Sequence, residues 1–113
     1  TTAESYVDNS QNFATMPGSS SPTRYLLIDK EYLLDAVEFV DTNPSQRYKR
    51  LPADLDAGYA YDLTGTYSSK SARRKVKQIV DGKVIYKDTN NSTEDFLLGQ
   101  TPNPKVHSTV VEP

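Results

Sequence analysis

Apolar residues come in short bursts along this chain, separated by turn-forming residues, and most bursts carry strand periodicity. The run Arg24-Tyr25-Leu26-Leu27-Ile28 is brief, apolar and bounded by turn signals, the pattern of a buried strand. The block from Tyr32 to Val40 reads two ways. Leu33, Leu34, Val37 and Val40 fall at helical spacing with Asp29 as a start cap, whereas Val37-Glu38-Phe39-Val40 alternates as a strand does. Strand is favoured there and helix stays open. Asp41-Thr42-Asn43-Pro44-Ser45 is a turn, and alternating Tyr59, Tyr61 and Leu63 predict a short half-buried strand.

The clearest local signal lies at residues 72–87. Two β-compatible runs, 72–80 and 83–87, are joined by Asp81-Gly82, a favoured pair for a type I′ hairpin turn. A two-residue loop sets Val80 opposite Lys83, Ile79 opposite Val84, Gln78 opposite Ile85 and Lys77 opposite Tyr86. Neither face is cleanly apolar, so the hairpin belongs near a sheet edge, where lysine discourages unwanted pairing. Residues 1–24 hold scattered anchors (Tyr6, Val7, Phe13, Met16) and the loop cluster from Pro17 to Pro22. They read as irregular chain laid over something else. The expected division is an irregular segment at 1–23, a β domain at 24–106 and a tail at 107–113.

Composition sharpens this picture. Leu, Ile, Val and Phe together number 24 of 113 residues, so any core is thin and the eight tyrosines supply much of its bulk. Ser, Thr and Asn number 28, which favours turns and strands over helices. No apolar run approaches the ~18 residues of a membrane-spanning helix. Cysteine is absent, which excludes disulfides and thiolate chemistry. The chain opens Thr1-Thr2-Ala3-Glu4 without a signal-like stretch, so it reads as a processed or excised segment.

Charge is uneven. Residues 70–87 hold seven basic groups and one acid, while residues 1–69 hold five bases and ten acids. The basic stretches offer Arg47, Tyr48, Lys49, Arg50, Arg73, Arg74, Lys75 and Lys77 as candidate binding residues, able to serve a phosphate backbone, a glycan or an acidic protein surface. Hairpin alternation sends Arg73, Lys75 and Lys77 to one face and Arg74 to the other, which dilutes the patch.

Catalytic signals are weak. The sole histidine, His107, lies in the proline-bearing tail, and no spacing singles out a carboxylate pair or a serine nucleophile. Asp88, Asn90 and Asp95 place oxygen ligands at alternate positions, as a calcium loop does. The sixth and twelfth positions of that loop would need Gly and Glu, but Thr93 and Gly99 stand there. An Asx-rich turn is the favoured reading of that stretch. No cofactor is expected.

Three stretches in order carry a resemblance: Leu34-Asp35-Ala36-Val37-Glu38-Phe39, Ser71-Ala72-Arg73-Arg74-Lys75, and residues 88–96 followed by Gln100-Thr101-Pro102-Asn103-Pro104. Together they resemble the second half of bacterial lamin-tail-type domains. More closely, the chain resembles an uncharacterised family of cell-surface lipoproteins of anaerobic Gram-negative bacteria, associated with TonB-dependent receptors. The resemblance covers residues 24–106. It implies an all-β, immunoglobulin-like sandwich that is exported, non-catalytic, and engaged in recognition or assembly beside an outer-membrane uptake receptor. The opening strands usual in such domains are missing, about a third of a sandwich. The resemblance therefore implies a domain completed by the rest of its own chain or by a partner protein. Two alternatives stay open: an accessory domain of a larger secreted hydrolase, and a glycan- or nucleic-acid-binding β domain using the basic hairpin.

Overall fold

The computed structural model describes residues 3–113, which divide into two compact units, one running to Leu34 and the other starting at Asp35. In the first unit, helix α1 (Ala3–Val7) is followed by a single 3-10 turn at Ser10–Asn12. The Asn9 side chain starts that turn by accepting the Gln11 N–H at 3.0 Å. Strand β1 (Phe13–Thr15) then pairs antiparallel with β2 (Arg24–Leu26), Phe13 standing opposite Leu26. The Tyr6 hydroxyl donates to the Leu27 carbonyl at 2.6 Å and ties the helix to the ladder.

Two expectations are corrected here. The first 23 residues are not irregular throughout, because β1 finds a partner across the proline-bearing loop. The run at 24–28 is strand only over Arg24–Leu26 and is not buried: Tyr25 is 49% exposed and Ile28 62%. A two-stranded ladder in a unit this small has no second layer to cover it.

In the second unit, strand β3 (Phe39–Val40) pairs in parallel with β4 (Ala60–Tyr61). The ambiguous block before it resolves into neither a long helix nor a long strand. It holds a 3-10 turn at Lys30–Tyr32 and then extended chain ending in β3. The turn at 41–45 forms as expected, with Asn43 capping a 3-10 turn at Pro44–Gln46.

The hairpin also forms, from β6 (Val76–Val80) and β7 (Lys83–Tyr86), with Asp81 and Gly82 at φ of 49° and 75° as a type I′ turn requires. Three of its four expected pairs are present. The fourth slips: Val76, rather than Lys77, stands opposite Tyr86, because a bulge falls between Val76 and Gln78. The run at 72–80 is likewise divided. Its first part, β5 (Ser71–Arg74), pairs antiparallel with β8 (Phe96–Gln100) and not with β7. Lys75 is the changeover: its N–H donates to the Asp95 carbonyl and its own carbonyl accepts the Lys87 N–H, both at 2.8 Å. Helix α2 (Ser92–Asp95) precedes β8 and is capped by the Asn91 side chain.

The fold is thus mixed and β-rich, with the described strands paired in four two-stranded ladders. The described strands do not assemble the immunoglobulin-like sandwich of two facing sheets. They are two to five residues long and separated by Pro, Gly and Asx turns, so no ladder widens into a continuous apolar face. The buried hydrophobic side chains among the described residues are Val40, Ala60 and Val76, whereas Glu38, Asp56, Ser92 and Asp95 are buried polar ones. Polar stitches therefore hold much of the interior.

Candidate functional site

The densest of these stitches joins three loops around Asp56. One carboxylate oxygen accepts the Glu38 N–H at 2.9 Å and the Ser92 hydroxyl at 2.5 Å. The other accepts the Gly58 N–H at 3.0 Å and the Ser92 N–H at 2.8 Å. Burial works to raise the Asp56 pKa, but the hydrogen bonds from Ser92, Glu38 and Gly58 outweigh it and hold the carboxyl below its ordinary value. Four donors occupy the lone-pair positions of an ionised carboxylate, leaving none for a metal or a proton in transit. The Asp56–Ser92 pair is a structural clasp. Gly58 makes the approach possible: a Cβ there would meet the Asn91 side chain and come within 2.8 Å of the Thr93 nitrogen.

Glu38, the acid inside the apolar stretch that precedes the turn, is buried on the same side. Its carboxylate accepts the backbone N–H of Arg50 and of Leu51 (3.1 Å) and pairs with the Lys49 ammonium at 2.9 Å. Burial pushes its pKa up, and those three donors together hold it below the usual glutamate value.

These contacts place most of the candidate binding residues. Lys49 is tied to Glu38. Arg47 donates to the carbonyls of Asp41 and Thr42, both at 2.9 Å, and lays its guanidinium 4.1 Å from the Tyr61 ring centre. Arg50 lies 5.4 Å from the ring centre of Tyr48, and Tyr48 is half-exposed. Arg73 makes a bidentate pair with Glu112 at 2.9 and 2.6 Å. Arg74 pairs with Asp35 at 2.5 Å, donates to the Lys87 carbonyl at 3.1 Å and covers the Phe96 ring at 4.9 Å. Lys75 sits at the strand changeover, and Lys77 is exposed on the hairpin. The structure brings Lys49 and Arg50 together on Glu38 and sends Arg73 and Arg74 to different acids.

The three oxygen-ligand candidates also have internal roles. The Asp95 carboxylate accepts the Thr89 N–H and hydroxyl, both at 2.8 Å. Asp88 accepts the Asn90 N–H at 3.4 Å and lies 3.7 Å from Arg74. Asn90 adopts a positive φ of 55°. That is the geometry of an Asx-rich turn. Among the described residues, no group of three or more His, Asp or Glu side chains is arranged to hold a metal ion.

Sequence reasoning missed Asp56, Ser92 and Glu112. Strand alternation sets Glu38 on the face opposite Val37 and Phe39, yet the structure buries Glu38 and leaves Phe39 exposed. Glu112 matters for a further reason. It donates its N–H to the Val76 carbonyl at 2.8 Å and accepts the Val76 N–H at 3.0 Å, while its carboxylate holds Arg73. The segment from Gln100 to Glu112 is thereby pinned at both ends, at Ser71 and at Val76. Between the pins lies a cleft of about 700 Å³ lined by Ser71, Arg73, Tyr86, Gln100, Asn103 and His107 among others.

The family described as "Protein of unknown function (DUF4876)" matches residues 1–103. A crystallised DUF4876 family protein from Bacteroides thetaiotaomicron VPI-5482 is similar in structure, with a TM-score of 0.70 and 32% sequence identity. That match covers 95% of this chain and 30% of the other. An uncharacterised protein of Schizosaccharomyces pombe (strain 972) is 28% identical over 112 residues, 88% of this chain and 11% of its own length. The chain thus spans less than a third of either relative.

Proposed function

The chain belongs to the DUF4876 family, and from the sequence resemblance we propose that it is a non-catalytic binding and assembly module of an exported cell-surface lipoprotein. On this reading it cooperates with an outer-membrane nutrient-uptake receptor. One observation carries the assembly role: large apolar side chains stand exposed beside strand ladders that stop at two strands. Leu34 and Tyr67 are fully exposed, and Tyr32, Ile28 and Phe39 are more than half so. Such surface on a β-rich module marks contact with other protein. The coverage of the crystallised relative supports the same reading, since that family member carries far more chain than this module. On this reading a partner protein supplies the strands that widen the ladders into the immunoglobulin-like sandwich that the resemblance implies.

The nucleic-acid alternative draws less support, because Arg73 and Arg74 are already held by Glu112 and Asp35. No helix among the described residues is long and apolar enough to cross a membrane.

The test is affinity purification of the tagged full-length protein from solubilised envelopes, with and without the region corresponding to residues 1–113. A TonB-dependent receptor should co-purify with the intact protein and be lost on deletion. Recovery from the soluble fraction alone, or retention of the receptor after deletion, overturns the reading.

A further inference from the structure

The two edges of the β6–β7 hairpin are treated differently by the molecule. In a type I′ hairpin the residues flanking the turn form a mutually hydrogen-bonded pair, and such pairs recur at every second residue. Val80 with Lys83, and Gln78 with Ile85, therefore turn their backbone groups inward. Val84 and Tyr86 turn theirs outward on the open side of β7. At the opposite edge, the outward N–H and C=O of Val76 are both taken up by Glu112 from the chain's own tail, at 3.0 and 2.8 Å. Among the described residues, nothing pairs with the outward groups of Val84 and Tyr86, and the ladder ends at β7. The tail covers the β6 edge at Val76, whereas along β7 neither outward residue is covered among the described residues.

Side chains along the open edge define what fits. Alternation sets Lys83, Ile85 and Lys87 on one face and Val84 and Tyr86 on the other. Ile85 and Tyr86 are each 44% exposed. A second copy of β7 is a poor occupant: antiparallel pairing about Ile85 sets Lys83 of one copy against Lys87 of the other, and like charges directly opposite destabilise a ladder. An anionic bilayer is also a poor match, since the hairpin tip that would insert carries Asp81 and Lys83. A nucleic-acid backbone needs several cations on one face, and alternation divides them. A strand with acids facing Lys83 and Lys87 and an apolar residue facing Ile85 satisfies both charge and backbone.

Resting on the assembly-module reading, we propose that the open edge of β7 is a docking site for an extended acidic segment of a partner protein, which adds to the hairpin as a third strand. The lysines that deter neutral and basic strands then select this one.

The test follows amide exchange in the full-length protein, with short synthetic peptides carrying Glu-Val-Ile-Val-Glu or Lys-Val-Ile-Val-Lys as probes. The glutamate peptide should slow exchange at the Val84 and Tyr86 amides by about tenfold or more, and the lysine peptide should not. Val84→Pro removes only an outward N–H, which an edge strand tolerates, and should abolish the effect while the ladder to β6 persists. The double variant K83E/K87E should reverse the preference between peptides. Slow exchange at Val84 and Tyr86 before any peptide is added overturns the proposal, because the edge is then filled by the same polypeptide. Equal response to both peptides overturns it too. So does protection of these residues by phosphatidylglycerol vesicles or an oligonucleotide with no response to peptide. Receptor co-purification lost in Val84→Pro supports the site. Co-purification that survives this change but not deletion of the module retains the assembly role and overturns the site.

Discussion

Asp56 shows how single side chains take over work that a larger domain leaves to its hydrophobic core. It is fully buried and accepts four hydrogen bonds, three of them from backbone N–H groups. Asp56→Ala strands those donors away from water, and each buried unsatisfied group costs about 1–3 kcal/mol. We expect a loss of about 3 kcal/mol or more in chemical denaturation, with Glu94→Ala, at an exposed carboxylate, as the milder control. Acid should act on the same bonds. The folded pKa values of Asp56 and Glu38 lie below their ordinary values. Their contribution is complete above the unfolded carboxyl range, about pH 5, and is lost as pH falls through the depressed folded values. Unfolding midpoints measured across pH should therefore be flat above about pH 5 and fall below about pH 4, with a shallower fall in Ser92→Ala. None of this was legible in the sequence. Asp56 is one of fifteen acids, and its partners lie 18 and 36 residues away. A clasp built across loops leaves no periodicity to read.

At the scale of elements, local signals were read well and partner choice was not. The hairpin was legible because its turn depends on two adjacent residues, Asp81 and Gly82, whose backbone preferences are intrinsic. Gly82→Ala tests that origin. A Cβ there would meet nothing within 4 Å, so its whole cost is the positive φ of 75°, about 1 kcal/mol. Thermal unfolding followed through the hairpin should show that loss and no more. What the pattern could not show was that one β-compatible run serves two ladders, changing partner at Lys75. That change is made by a bulge and by carbonyls that any sequence carries. The tail was similarly opaque, since Glu112 lies far in sequence from the Arg73 it holds. The Arg73 guanidinium beside it is the main reason its carboxyl sits below the ordinary glutamate range. Glu112→Gln should release the segment around residues 101–111, read as faster limited proteolysis there with the β5–β8 ladder intact. In the unaltered protein the same release should come only as pH falls through the depressed value.

For the molecule as a whole, area tells more than contacts. The chain exposes 8382 Å². Two separately compact bodies of the same total mass would expose ~7,400 Å². Leu27, Ile28, Leu34 and Phe39 are among the exposed apolar side chains, which the hydrophobic pattern placed in strands without showing what would cover them. The thin core, by contrast, was legible from composition alone. Where 24 large aliphatic and phenylalanine residues serve 113 positions and so few of them are buried, unfolding uncovers little new apolar surface. The apolar surface uncovered on unfolding sets the heat-capacity increment, commonly about 12–15 cal/mol/K per residue. Calorimetry on this chain should give a value clearly below that range. An interior fastened by carboxylates then has a flat stability curve: it gains little from a warm optimum and resists cold denaturation.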